Sequence, residues 1–289
     1  AAHKSGWKNE KHAAQWTSTL DTYAYPVIGK LPVAAIDTVL VMKVLEPIWT
    51  TKTETATRVR GRMESVLDWA TVRGYRDGEN PARWKGHLDH LLPKRSKVKK
   101  VQHHPALVYA KAPAFLSELR AQEGTAARAL EFLILTACRT NEVIGARWNE
   151  FDLAEKTWTV PAERMKAGKE HRVPLSAQAL KIIKDLRKQV QGEFVFPGLH
   201  EGNPLSNMAM LELLKRMERN ALTVHGFRST FRDWVGETTN YPREVAEAAL
   251  AHTIKDKAEA AYARGDLFAK RRRMFDDWAG YLATRRKRK

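Results

Sequence analysis

Four short segments hold side chains suited to joint work on an anion. They are Thr136-Ala137-Cys138-Arg139-Thr140-Asn141-Glu142, Arg164-Met165-Lys166, His225-Gly226-Phe227-Arg228, and Ala249-Leu250-Ala251-His252 followed by Ala261-Tyr262-Ala263-Arg264. Guanidiniums such as Arg139 and Arg228 offer paired donors that match the non-bridging oxygens of a phosphodiester. Donors aimed at oxygens whose charge grows in the transition state commonly supply the largest share of barrier lowering. His225 and Arg228 are spaced i, i+3, which on a helix puts both on one side. His225 can accept a phenolic proton or brace the phosphate, and His252 can add a further hydrogen bond to it. Lys166, near a tight turn containing Ala167-Gly168, can protonate a departing sugar oxygen as general acid. Lys169 shares that turn and is its rival, with the Arg-Met-Lys context favouring Lys166. Tyr262 can attack phosphorus and conserve the bond energy in a covalent ester.

Taken singly, each residue has an ordinary structural role. Arg139 and Glu142 make a common helix-surface pair, either histidine can be a partly buried structural residue, and Tyr262 can be core packing. One active site accounts for them jointly. Cys138 adjoins Arg139, but the apolar run Phe132-Leu133-Ile134-Leu135 points to a buried, inert thiol.

In this order the segments resemble the catalytic signature of the tyrosine recombinases, specifically the P4-like integrases of phages and genomic islands. The likeness covers nearly the whole chain, including the Asn80-Pro81 pair before a linker. It implies a mainly α fold: a helical core-binding domain, then a mixed α+β catalytic domain with a small β-sheet. It implies a catalytic set of Arg139, Lys166, His225, Arg228, His252 and Tyr262, with Glu142 orienting the helix or the arginine. The implied reaction joins DNA to Tyr262 through a 3′-phosphotyrosyl link, leaving a 5′-hydroxyl as the next nucleophile. Strand exchange through a Holliday junction would then integrate or excise a mobile element, with no metal or nucleotide cofactor. Expected partners are double-stranded DNA attachment sites, a tetramer on synapsed DNA and an accessory excision factor. The expected location is the bacterial cytoplasm, at the nucleoid. Ala137 stands where the family usually has Gly, one methyl group more at what reads as a helix start. Many relatives carry an additional arm-binding domain that nothing before Trp7 could form, so a truncated chain is expected, or one that works without arm sites.

The elements that must position these residues can be read from composition and periodicity. The 289 residues are 43% hydrophobic, enough for real cores. Lys and Arg number 50 against 33 Asp and Glu, for a net charge of +17. Such a surplus draws in polyanions, nucleic acid first. An anionic membrane surface is the weaker alternative, since no long apolar span or signal-peptide pattern is present. The single cysteine excludes an intrachain disulfide, and no Cys/His group has zinc-finger spacing.

Residues 1–92 read as the helical domain. Trp16, Leu20 and Tyr23 form a helical stripe that Tyr25-Pro26-Val27-Ile28-Gly29 should break. Asp37 or Thr38 caps a helix through Ile48, and Thr53 to Gly74 carries a second stripe of Val59, Met63, Val66, Leu67 and Ala70. Residues 93–106 form a basic linker. Its Lys94, Arg95, Lys97, Lys99 and Lys100 are either a solvated run or a contact to the DNA backbone. Residues 107–289 form the catalytic domain. Helices are expected at Pro113–Arg120, Thr125–Ala137, Ala177–Gln189, Asn207–Glu218, Phe227–Thr238, Val245–Leu250 and Asp256–Tyr262. Short strands are expected at Trp158–Pro161 and His171–Leu175. A last helix near Phe268–Leu282, followed by a basic tail, packs either on its own domain or on a neighbour. Two rival functions stand beside recombination: a type IB topoisomerase, which the integrase-like first half argues against, and a DNA-binding protein without catalysis, which the intact six-residue set argues against.

Overall fold

The computed structural model describes residues 10–98, 105–252 and 265–284. The chain forms two compact units, residues 1–102 and 103–289. The expected helix Asp256–Tyr262 and the basic tail from residue 285 lie outside the described residues.

In the first unit, α1 (Glu10–Thr19) runs through one π-helical turn (Leu20–Ala24) into α2 (Tyr25–Ile28). The sequence predicts a break at Tyr25-Pro26, and the helix instead continues. Pro26 falls in the first turn of α2, where a missing N–H costs little. The wide turn absorbs the change of register, with Tyr25 N–H donating five residues back to Leu20 O. Helix α3 (Thr38–Trp49) is capped by Asp37, whose Oδ1 accepts from Leu40 N at 2.9 Å. It packs against α4 (Thr53–Val72) through Val41, Leu45, Val59, Met63 and Leu67. Val66, counted in the apolar stripe, is instead 41% exposed. The unit closes with α5 (Arg95–Val98) and with Trp49 Nε1 donating to Pro93 O at 2.9 Å.

The second unit is organised round α7 (Thr125–Thr136), where Ala127 and every residue from 129 to 136 are buried. A helix buried on all sides needs cover on all sides. Helices α6 (Ala112–Arg120), α9 (Ala177–Gln189), α10 (Ala209–Arg216), α11 (Gly226–Thr238) and α13 (Phe268–Ala283) supply it. Short α8 (Thr140–Ile144) follows α7, and α12 (Arg243–Ala249) lies between α11 and α13 in the chain. The sheet is antiparallel in the order β1 (Phe151–Asp152), β2 (Thr157–Val160), β3 (His171–Pro174). Trp158 is paired with Val173 and Val160 with His171, all four buried, and the Trp158 ring lies 5.4 Å from that of Phe132 on α7.

Helix α13 buries Met274, Phe275, Trp278 and Leu282 in this same core, and Trp278 Nε1 donates to Ile134 O at 2.8 Å. Of the two arrangements the sequence left open, this structure has the helix on its own domain. Among the described residues, no helix is long and apolar enough to cross a membrane.

Candidate active site

The end of α7 starts the site. Ala137 follows its last residue in the left-handed region, at φ 50° and ψ 24°. It therefore caps a helix C-terminus, correcting its sequence assignment to a helix start: the chain must reverse there before α8 begins. A β-carbon is disfavoured in that conformation, which gives the family's glycine a physical reason. Ala137→Gly is accordingly expected to stabilise the protein by about 0.5–1 kcal/mol, after the added freedom of the unfolded chain is deducted. Urea unfolding checks this: the midpoint should rise with the slope unchanged.

Arg139 is the cap residue of α8. Its Nη1 donates to Glu142 Oε1 at 2.8 Å, while its backbone N–H donates to Glu142 Oε2 at 2.7 Å. One buried carboxylate thus fixes both the helix start and the guanidinium. Arg139 Nη2 reaches Ala251 O at 3.1 Å.

Arg228 on α11 is only 5% exposed. Its Nη1 donates to Ala137 O, its Nη2 donates to Leu250 O at 2.6 Å, and Nη2 lies 3.2 Å from His252 Nε2. Carbonyls just beyond the C-terminal ends of α7 and α12 therefore hold the two arginines, where helix dipoles favour cations. Burial, then the nearby charge of Arg139, lowers the pKa of Arg228.

His252 Nδ1 lies 2.6 Å from Glu247 Oε2. Glu247 thereby fixes the imidazole ring, whose Nε2 edge faces Arg228. Arg232 Nε donates to the other Glu247 oxygen at 3.1 Å. Burial opposes ionisation of Glu247, but hydrogen bonds from His252 and Arg232 outweigh it and hold its pKa below the usual value.

Hydrogen bonds thus pair Arg139 with Glu142 and Arg228 with His252, and the carbonyls of Ala137, Leu250 and Ala251 hold the two guanidiniums. His225 takes the cap position of α11 with a helical backbone and an exposed side chain, while Arg228 three residues on turns into the core. Lys166 and Lys169 are both exposed in the turn between β2 and β3, outside the hydrogen-bonded set. Tyr262, Lys99 and Lys100 lie outside the described residues. Lys94 and Lys97 are exposed, whereas Arg95 pairs with Glu54 of α4 and is in that respect not the unpaired cation of a solvated run. The thiol of Cys138 is buried, and burial first, then Glu142, pushes its pKa up to about 12. It is an inert core group.

Sequence reasoning missed Glu247 and His171. Glu247 precedes His252 by five residues across a helix end, a spacing without a common motif. His171 alternates in phase with Val173 on β3, which was a readable sign that it points inward. Burial, then the charge of Arg271, lowers its pKa from 6.5 to about 4. The unfolded chain therefore binds the extra proton between those values, so stability is full above about pH 6.5 and falls as pH drops towards 4. Denaturation midpoints at a series of pH values should show this loss, and His171→Gln should flatten it.

Two family descriptions cover the chain: the phage integrase central domain at residues 1–87 and the phage integrase family at residues 109–266. The prophage integrase IntZ of Escherichia coli K12 is 33% identical over 282 residues, which cover 96% of this chain and 68% of that protein. The integrase of Enterobacteria phage P4 is 29% identical, covering 96% and 66%. The chain thus spans about two thirds of the length of the curated relatives it matches. The fold is similar to that of a lambda integrase dimer bound to a COC′ core site, with a TM-score of 0.66 at 16% identity over 85% of this chain and 89% of that one. It is also similar to the Tn1549 transposon integrase in complex with circular intermediate DNA, with a TM-score of 0.64 at 14% identity over 91% and 96%. By these matches the chain belongs to the phage integrase family, as a tyrosine recombinase of the P4-like type.

Proposed function

We propose that the chain is a site-specific recombinase that integrates or excises a mobile element, cutting and rejoining DNA through a covalent 3′-phosphotyrosyl intermediate. The observation that carries this reading is the junction of Arg139, Arg228 and His252, drawn from three elements and tied by hydrogen bonds to one another's neighbourhood. Two guanidiniums and an imidazole with a single buried carboxylate, Glu142, suit a phosphodiester in shape and charge.

In the proposed reaction Arg139, Arg228 and His252 bind the non-bridging oxygens. The Tyr262 oxygen attacks phosphorus as its proton passes to His225, and the bond to the 5′ oxygen breaks as Lys166 protonates it. Rejoining reverses these transfers with a 5′-hydroxyl from either strand. Residues 1–92 would serve as core-binding domain, residues 93–106 as linker, and residues 107–289 as catalytic domain. Lys94, Lys97, Lys99 and Lys100 would lie along the DNA backbone. A tetramer on synapsed attachment sites is supported by the lambda integrase tetramer bound to a Holliday junction. An accessory excision factor belongs to the same reading.

Nicked suicide DNA tests it, because the cut strand loses its 5′-hydroxyl fragment and the ester accumulates. A denaturation-resistant protein–DNA adduct is expected, and Tyr262→Phe should abolish it. Intact protein that binds the attachment DNA yet forms no adduct would sink the proposal.

A further inference from the structure

We propose that Arg164 is a positioning residue for the general-acid step: it clamps the base of the turn between β2 and β3 to α8, and so sets where Lys166 delivers its proton. The inference rests on the role of Lys166 proposed above.

Arg164 ends a short 3-10 turn, Ala162–Arg164, directly after β2. Its Nη1 pairs with both carboxylate oxygens of Glu150, and the two side chains are only 19% and 6% exposed. Glu150 is itself held, since its Oε2 accepts from Trp158 Nε1 of β2 at 2.9 Å. Nη2 of Arg164 donates to the carbonyl of Glu142, in the helix whose cap is Arg139. One guanidinium therefore joins the sheet, the turn and the Arg139 helix. Both terminal nitrogens are committed inward, which sets Arg164 apart from the exposed cations available to DNA.

Gly145 supplies a second, independent observation. A β-carbon there would stand 3.0 Å from Arg164 Nη2, so the guanidinium lies close against the end of α8 and an alanine would push it back by a few tenths of an ångström. On the other side of the clamp, Met165 is buried in the core. Lys166 is the first exposed residue after these two anchors. A lysine on a long, rotatable stem gains most from a fixed backbone, because a general acid must bring its proton within hydrogen-bond reach of the leaving oxygen. Arg164 does this without touching the DNA.

The test compares two suicide substrates of the same sequence, one ordinary and one with sulfur in place of the bridging 5′ oxygen at the cleavage site. With sulfur, the phosphorus–sulfur bond breaks and the electron pair leaves as a thiolate, which needs no proton. The variants are Arg164→Lys, which keeps the charge and loses the fork, and Gly145→Ala, which keeps every charge and crowds the fork. Gly145 has φ −90°, so alanine fits the backbone. Single-turnover cleavage of ordinary DNA should slow by about 10- to 100-fold with Arg164→Lys, and by a smaller factor with Gly145→Ala, at saturating protein. The sulfur substrate should be cut at within about threefold of the parent rate, as expected when only proton delivery is impaired. Equal slowing on both substrates, or no slowing on either, overturns the inference. Lys166→Ala separates the two readings. If sulfur fails to rescue Lys166→Ala, the assignment of Lys166 falls. If sulfur rescues Lys166→Ala but neither Arg164→Lys nor Gly145→Ala, only the role of Arg164 falls.

Discussion

Arg228→Lys should slow single-turnover cleavage by at least about 10²- to 10³-fold while leaving most of the DNA affinity intact. The guanidinium holds two buried carbonyls, Ala137 O and Leu250 O, and meets His252 on the same edge. Lysine has one ammonium on a flexible stem and cannot hold both carbonyls in a fork while it faces a phosphate. DNA affinity is spread over many backbone contacts, so one buried cation contributes little of it. Arg228→Ala goes further, because it leaves two buried carbonyls without a donor. That variant should lose about 2–3 kcal/mol of unfolding free energy as well as cleavage. Single-turnover rates, DNA titrations and urea unfolding read the three quantities separately. Cleavage that falls only in step with binding would contradict the assignment of Arg228 to the reacting phosphate.

Trp278→Ala should destabilise the second unit by about 3–5 kcal/mol, the range for removing a fully buried large aromatic. Its ring centroid lies 4.9 Å from that of Trp234, 5.6 Å from Phe231 and 5.8 Å from Tyr281, and its indole N–H holds Ile134 O. No solvent can fill so apolar a gap. Ile134 also belongs to α7, whose C-terminal turn carries Ala137 to Arg228. Cleavage should therefore fall with stability. Trp278→Phe keeps most of the buried area and loses the hydrogen bond, so its cost should be smaller, about 1–3 kcal/mol. Unfolding of the full chain in the absence of DNA measures both. Unchanged stability of the alanine variant would place α13 on a neighbouring protomer in solution.

Local signals made much of the fold legible. The span Ala177–Gln189 is a helix with the predicted ends because Ser176 caps it and its apolar residues recur on one face. Asp37 likewise announced α3. The π-turn at Leu20–Ala24 was hidden because proline normally marks a helix end, and only packing shows that the wider turn is tolerated. β1 was too short to read, at two residues. At the site, side-chain types and family resemblance named Arg139, Arg228 and His252, but not what holds them. Ala137 and Arg228 lie 91 residues apart, and Arg139 and Ala251 lie 112 apart. Such partners are backbone carbonyls, which carry no residue-specific signal. The same limit hid Arg164, whose Nη2 donates to the carbonyl of Glu142 close beside Gly145.

Arg139 and Arg228 repel one another across the end of α7, against the opposing charges of Glu142 and Glu247 and beside the carbonyls that hold both guanidiniums. On the proposed reading, a phosphate seated between them relieves the repulsion in the folded state and has no equivalent place in the unfolded chain. Thermodynamic linkage then makes attachment DNA a folding ligand. At a hundredfold excess over its dissociation constant, such a ligand adds about 2.7 kcal/mol to the unfolding free energy. The protein's melting temperature becomes a binding isotherm, rising with DNA concentration and falling again with salt. Substrate recognition and the stability of the catalytic unit are two readings of one charge balance.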